Sequence, residues 1–322
     1  MFVRRFDLLT MEQGSKVSPV AETVHGHHHP VPESGWWLGA TMALNLFIFL
    51  AELVGGLLAG SLALIADSFH NLTDLTSLVL VVVARRLQRL PASDQHTFGF
   101  RRADVMAGFV NAAILFAAMG AVLTEAVDHL LHPHPVNGWI MLVIGAIGLL
   151  ANTLGVGLLR RDPNQDLGLK SAALHLVTDA ASSAAVVLGG GLLLTVGWLR
   201  VDPALGILIA LVAMFGAVRM MREGIHILME GTPRSLEAEE VRGAIEGVEG
   251  VCAVEHFHLW SLASTEPSLS ATVCVTDQRV SEAERVLRRV EKLVSESFGI
   301  HHTVLELAVE RGSESAVDPR GS

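Results

Sequence analysis

Apolar positions run almost unbroken through residues 36–230, then give way to an alternating, charge-rich pattern. A helix that crosses a bilayer needs about 20 mostly apolar residues at 1.5 Å rise each. Six stretches have that length: 37–59, 62–85, 103–130, 139–159, 169–196 and 203–221. Only Gly60-Ser61 separates the first two, which makes them a tight hairpin. Beyond Pro233 the period changes. Residues 237–248 put Val241, Ala244, Ile245 and Val248 on one helical stripe. Residues 251–262 and 269–276 alternate as strands, the second with Leu269, Ala271, Val273 and Val275 on one face. Residues 280–298 read as a helix with Val286, Leu287, Val290, Leu293 and Val294 inward, and 302–309 close the sheet. The predicted fold is an all-α six-helix transmembrane bundle followed by a small α+β domain of αββαβ order. Four segments result: a disordered His-containing tail at 1–35, a six-span membrane domain at 36–230, the α+β domain at 231–312 and a disordered tail at 313–322.

Composition sharpens this division. Charged residues make up 17% of the chain and hydrophobic ones 51%, against about 25% charged in an ordinary soluble domain. The net charge of −10, with no basic face or arm, excludes a nucleic-acid partner. Cys252 and Cys274 each lie in an apolar, β-branched run and read as two buried strand thiols. No cleavable leader is expected, because residues 1–34 lack an apolar core.

Lys and Arg set the orientation. Arg4, Arg5 and Lys16 precede the first span, and Arg85, Arg86, Arg89, Arg101 and Arg102 lie between the second and third. Arg160, Arg161 and Lys170 follow the fourth, and Arg219 and Arg222 end the sixth. The opposite loops hold only Arg200. Both termini and the α+β domain are therefore expected in the cytosol, where a disulfide is disfavoured.

Ionisable groups inside a bilayer cost about 2.5–3.5 kcal/mol each even on the lenient insertion scale, so each needs a reason. Span two carries Asp67, His70 and Asp74, and span five carries His175 and Asp179. The pattern His-x-x-x-Asp occurs in both, and i,i+4 spacing places each pair on one helical face. Two such faces opposed offer two imidazole nitrogens and two carboxylate oxygens to one centre. Tetrahedral Zn²⁺ accepts such a set, whereas Cu²⁺ prefers a tetragonal site and Mg²⁺ or Ca²⁺ six or more oxygens. The alternative, an intrahelical hydrogen bond that locks packing, explains one pair better than two matching ones. Asp67 admits two readings, a supporting or proton-path group and a helix-end group near Gly60-Ser61. Asn45, Glu52, Asn111, Glu125 and Asn152 are candidates to line a path, with bonding between helices the alternative for the asparagines, and Asp202-Pro203 reads as the capped start of a helix.

With these residues in view, the chain resembles the cation diffusion facilitator family from about Trp36 to about Val309, closest to its zinc-exporting branch. The landmarks are Ala66-Asp67-Ser68-Phe69-His70…Asp74, Thr97-Phe98-Gly99-Phe100-Arg101-Arg102-Ala103-Asp104-Val105, Ala173-Leu174-His175…Asp179, Asp202-Pro203, Met229-Glu230-Gly231-Thr232-Pro233 and His258-Leu259-Trp260. The resemblance implies a homodimer in the bacterial inner membrane that exchanges cytosolic Zn²⁺ for protons by alternating access. It implies that His70, Asp74, His175 and Asp179 form the transport site, and that His rather than Asp at position 70 favours zinc. Asp104 departs from the family's usual Glu and keeps the charge. Proton coupling agrees with the chemistry, since a ligating histidine must be neutral and its ordinary pKa is about 6.5.

The α+β module resembles the family's metallochaperone-like domain, which dimerises and senses zinc. Its sensing residues look depleted. Where the family tends to read Val-His-Asp-Leu-His-Leu-Trp, this chain has Val254-Glu255-His256-Phe257-His258-Leu259-Trp260, and Thr272 replaces a histidine of the next strand. His258 stands in place, with Glu255, His256, His301, His302 and Glu306 as substitutes; a plain dimerisation domain is the competing reading. His96 offers an accessory position before Thr97. His25, His27, His28 and His29 form a tract that either captures zinc weakly or is only a solvated tail. His132 and His134 read as shaping a proline-flanked turn, with metal binding as the alternative.

A membrane metalloenzyme would need an open coordination position and a general base, as in His-Glu-x-x-His, and that motif is absent. The chain therefore reads as a transporter and not an enzyme. Within that class a broader exporter of Cd²⁺ or Co²⁺ competes with the zinc reading, and a membrane zinc sensor stands further off.

Overall fold

A computed structural model describes residues 35–159 and 167–309, with side chains from 43–157 and 173–309. The histidine tract at 25–29 and the expectations for both terminal tails lie outside the described residues. Six long helices come first: α1 (Gly35–Ala59), α2 (Leu62–Gln88), α3 (Ala103–Leu131), α4 (Gly138–Leu159), α5 (Leu167–Val196) and α6 (Val201–Leu228). Then follow α7 (Ala238–Glu246), β1 (Val251–Ala263), β2 (Glu266–Val275), α8 (Val280–Phe298) and β3 (His302–Val309). The sequence-based bounds agree within a few residues, except that α6 runs seven residues past its apolar run. Arg222, Glu223 and His226 there continue the helix as a polar stem towards the α+β domain.

The bundle is turned inside out relative to a soluble protein. Leu58, Leu188 and Phe215 are each more than 70% exposed, while Glu52, Asp67, Asn111, Asp179 and Asp202 are buried. Large apolar side chains facing outward around a polar interior suit a hydrocarbon solvent. Among the described residues, four helical stretches are by length and composition sufficient to cross a membrane: Ala103–Leu131, Gly138–Gly157, Ala173–Val196 and Val201–Leu228. Asp67, Asp74, Arg85 and Arg86 lower the hydropathy of α2.

Helix α2 packs against α1, α3, α5 and α6. The hairpin into α2 is set by Gly60, at φ +66°, where a side chain would be strained. Helices α4 and α5 approach most closely at Gly190, where an added Cβ would lie 2.9 Å from the Leu142 backbone nitrogen. The small residues of span five serve this close contact. Asn111 bonds between helices rather than lining a path, its amide donating to Ser77 Oγ at 2.7 Å.

Asp202 corrects a sequence-based expectation. Arg200, not Asp202, is the N-cap of α6, and it makes no side-chain capping bond. The Asp202 carboxylate instead crosses to the start of α2. It accepts from Ser61 Oγ at 2.5 Å, Leu62 N at 2.8 Å and Ala63 N at 3.3 Å. A helix start buried in the bundle has no water for its orphan N–H groups, so a distant carboxylate caps it. Asp202→Ala is expected to destabilise the protein by about 3 kcal/mol, since hydrogen bonds to a charged group contribute about 1.5–3 kcal/mol each. Thermal unfolding followed by tryptophan fluorescence in detergent checks this; a melting temperature equal to the parent's would contradict it.

The C-terminal sheet has order β1-β2-β3, β1 antiparallel and β3 parallel to β2. Helices α7 and α8 bury Val241, Ile245, Val290 and Val294 against Leu259, Leu269 and Ala271. The two-cysteine expectation holds for Cys274, buried on the central strand, and fails for Cys252, which is exposed where the register of β1 shifts between Val251 and Ala253. A cavity of about 870 Å³ lies where Phe98, Arg101 and Arg102 face Glu230, His258 and Trp260. Across this junction Arg101 pairs with Glu266 at 2.5 Å, and Ser264 donates to Asp104, so the shorter acid at 104 still reaches a partner.

Candidate metal centre

Helices α2 and α5 each carry a His and an Asp one turn apart, and their packing turns these faces towards each other. His70, Asp74, His175 and Asp179 each offer one ligand atom, and those four atoms lie within 4.8 Å of one another. His175 Nε2 is 3.0 Å from Asp74 Oδ2 and 3.5 Å from Asp179 Oδ2. His70 Nε2 is 3.3 Å from Asp179 Oδ1 and 3.9 Å from Asp74 Oδ2. A tetrahedron of bonds of about 2.0–2.1 Å has edges of about 3.3 Å, so these spacings need only small adjustments to hold zinc. Both carboxylates together cancel a divalent charge.

The two pairs therefore do not act as separate intrahelical locks. Each histidine is as close to the acid of the other helix as to its own, or closer. The Asp179 side chain is 7% exposed, against 26% for His70, so the centre is shielded from one side. His70 Nδ1 is buried and has no hydrogen-bond partner among the described residues.

Asp67 does not cap the helix. Ser61 does that, accepting from Leu64 N at 3.2 Å. Asp67 is buried and accepts a hydrogen bond from Ser182 Oγ of α5, beside the centre. Glu52 of α1 accepts from Asn71 Nδ2 at 2.5 Å, which brings a third helix to the site. Asn71, Ser182 and Ser183 were not singled out in the sequence. Ser182 and Ser183 lie three and four residues after Asp179, the helical offset that shares its face, and that offset was the available signal.

The accessory residues are dispersed. Among the described residues, no second group of three ligand-type side chains converges. His96 stacks on Phe100 with ring centroids 4.7 Å apart, and His302 lies edge-on to Phe98 at 5.4 Å. His301 Nδ1 is 2.9 Å from Ser295 Oγ, and Glu306 Oε2 is 3.5 Å from Thr272 Oγ1. His256 occupies a bulge of β1 with φ 45°, near the exposed His258. His132 closes the end of α3 through Asp128 at 3.2 Å, and His134 stacks on His129 at 4.2 Å, as turn-shaping residues do.

Residues 39–229 match the cation efflux transmembrane domain, and residues 233–307 match the cation efflux protein cytoplasmic domain. The cadmium, cobalt and zinc/H(+)-K(+) antiporter of Bacillus subtilis is 31% identical over 288 residues, covering 88% of this chain and 92% of its own. Zinc transporter ZitB of Escherichia coli is 31% identical over 290 residues, with coverage of 88% and 92%. Metal cation efflux system protein CzcD of Cupriavidus metallidurans is 30% identical over 282 residues, with coverage of 88% and 89%. The solved metal-bound C-terminal domain of the CzcD transporter aligns with 23% of this chain and 99% of its own at 26% identity, with a TM-score of 0.21, too low to carry an argument. An apolar-faced bundle with a buried His/Asp cluster, joined to the matching cytoplasmic domain, makes this chain a member of the cation efflux family of membrane metal transporters.

Proposed function

We propose that this protein exports Zn²⁺ from the cytosol in exchange for protons, with His70, Asp74, His175 and Asp179 as the ligands of the transported ion. The observation that carries the proposal is the four-atom N2O2 cluster built from two helices inside the bundle. All six helices span the membrane, α1 and α2 included, because the polar residues of α2 face protein rather than lipid. Residues 36–230 form the transport domain and 231–312 the cytosolic domain, with both termini inside, as the Lys/Arg bias requires. The protein works as a homodimer in a bacterial inner membrane, with its cytosolic domain as the pairing element.

Protonation releases the ion, since neutral imidazole is the ligand and imidazolium is not. Affinity therefore falls with falling pH, because both imidazoles must be neutral to bind the ion. Calorimetric zinc titration at pH 7.5 and pH 5.5 checks the sign, and equal affinity would remove the histidines from the site. In sealed proteoliposomes holding a zinc dye, an imposed pH gradient is expected to drive zinc uptake; uptake indifferent to the gradient would reject antiport.

A broader exporter is the second reading, favoured by the cadmium and cobalt in the name of the Bacillus subtilis relative. The same vesicles loaded with a cadmium-responsive dye separate the two.

A further inference from the structure

The bundle buries three acids outside the four-ligand site: Glu52, Asp67 and Asp202. Glu52 of α1 is 1% exposed. Its Oε2 accepts from Asn71 Nδ2 at 2.5 Å, while its Oε1 has no hydrogen-bond partner among the described residues. Ser183 Oγ of α5, also 1% exposed, is unpartnered in the same way. Both atoms face one small gap against α4. A Cβ placed on Gly148 would lie 3.0 Å from Glu52 Oε1 and 3.1 Å from Ser183 Oγ. The other ionisable groups acting on Glu52 are Asp67 and His70 of α2 and Asp179 of α5; Gly148 gives α4 no charge here.

We propose that Glu52, cradled by Asn71, Ser183 and Gly148, is a proton-holding site separate from the zinc ligands and carries one of the protons exchanged for metal. An ionised carboxylate can only accept hydrogen bonds, and a buried acceptor with no donor is costly. Burial makes the ionised form costlier than the neutral acid, and Oε1 has no partner among the described residues to offset that cost, so the site fits the neutral acid. An arriving Zn²⁺ reverses that preference, because a nearby cation favours the ionised form.

The exchange balances. When zinc binds from the cytosol, the Glu52 O–H bond breaks and the proton leaves to the cytosol. Once zinc has left on the far side, a proton from that side re-forms the bond. Asn71 ties the two sites together, as it follows His70 directly and holds the other Glu52 oxygen. Glycine at 148 keeps the gap open, and a methyl there would press on both unpartnered atoms.

This inference rests on the antiport reading, and its test separates the two. The full chain and its Glu52→Gln variant are reconstituted in sealed vesicles. Three quantities are read: zinc flux under an imposed pH gradient, zinc–zinc exchange without a gradient, and protons released per zinc bound in weak buffer. Glutamine keeps the size and can still accept from Asn71, but it cannot lose a proton. Gradient-driven flux is expected to fall at least tenfold and the proton count by one, with exchange within twofold of the parent. Glu52→Asp is expected to recover the parental proton count. Parental gradient-driven flux and proton count in Glu52→Gln would overturn the proposal. So would loss of exchange in both variants, which would make Glu52 a structural residue. A parent whose flux ignores the gradient would instead reject antiport itself.

Discussion

Replacing Asp179 by alanine is expected to weaken zinc binding at least 100-fold and to abolish zinc flux, while the protein still folds. Asp179 is the most buried of the four clustered side chains and lies within 3.5 Å of both imidazoles. With it gone, a bound Zn²⁺ keeps one uncancelled positive charge in a low-dielectric interior. Removing one partner of a buried charge pair costs about 3–5 kcal/mol, and each 1.4 kcal/mol is tenfold in affinity. The fold should survive, because Asp179 belongs to none of the apolar clusters that hold α2, α4, α5 and α6 together. Calorimetric titration of the variant, with its elution profile and melting temperature as controls, checks the claim. Parental affinity would mean the ion sits elsewhere.

His70→Asp is expected to change which metals pass. The substitution converts the N2O2 set into NO3 and gives it three acids for two charges. Oxygen-rich sets favour harder cations, Mn²⁺ in particular, while imidazole suits zinc. Preference for Zn²⁺ over Mn²⁺ should fall at least tenfold, mainly through a gain in Mn²⁺ flux. Competition between the two metals in dye-loaded vesicles measures it. An unchanged ratio would mean that the path, and not the ligand at position 70, sets selectivity.

Much of the architecture was legible because the bilayer permits so few solutions. Long apolar runs broken by Gly60-Ser61 and by the arginine-bearing loops left little choice of helix bounds, and period-two alternation marked the strands around Leu269 and Val273. The convergence of His70, Asp74, His175 and Asp179 was legible for a related reason. Two His-x-x-x-Asp pairs at membrane depth need each other, and helical spacing already places each pair on one face.

What the sequence hid is long-range and polar. Asp202 sits beside a proline where a helix should start, so local rules assign it to its own helix. Its carboxylate instead serves Leu62 and Ala63, far away in sequence, and no spacing rule reports that. Glu52 looked like one of several path-lining groups until Asn71 and Ser183 were seen around it. Cys252 is exposed at a register shift of β1, which strand alternation does not report.

The central claim is that the transported ion binds between α2 and α5. Anomalous diffraction at the zinc edge, from crystals of the full chain grown with zinc, tests it most directly. The account predicts a strong peak about 2.0–2.2 Å from one atom each of His70, Asp74, His175 and Asp179. Zinc peaks confined to the C-terminal domain, with none between α2 and α5, would contradict it.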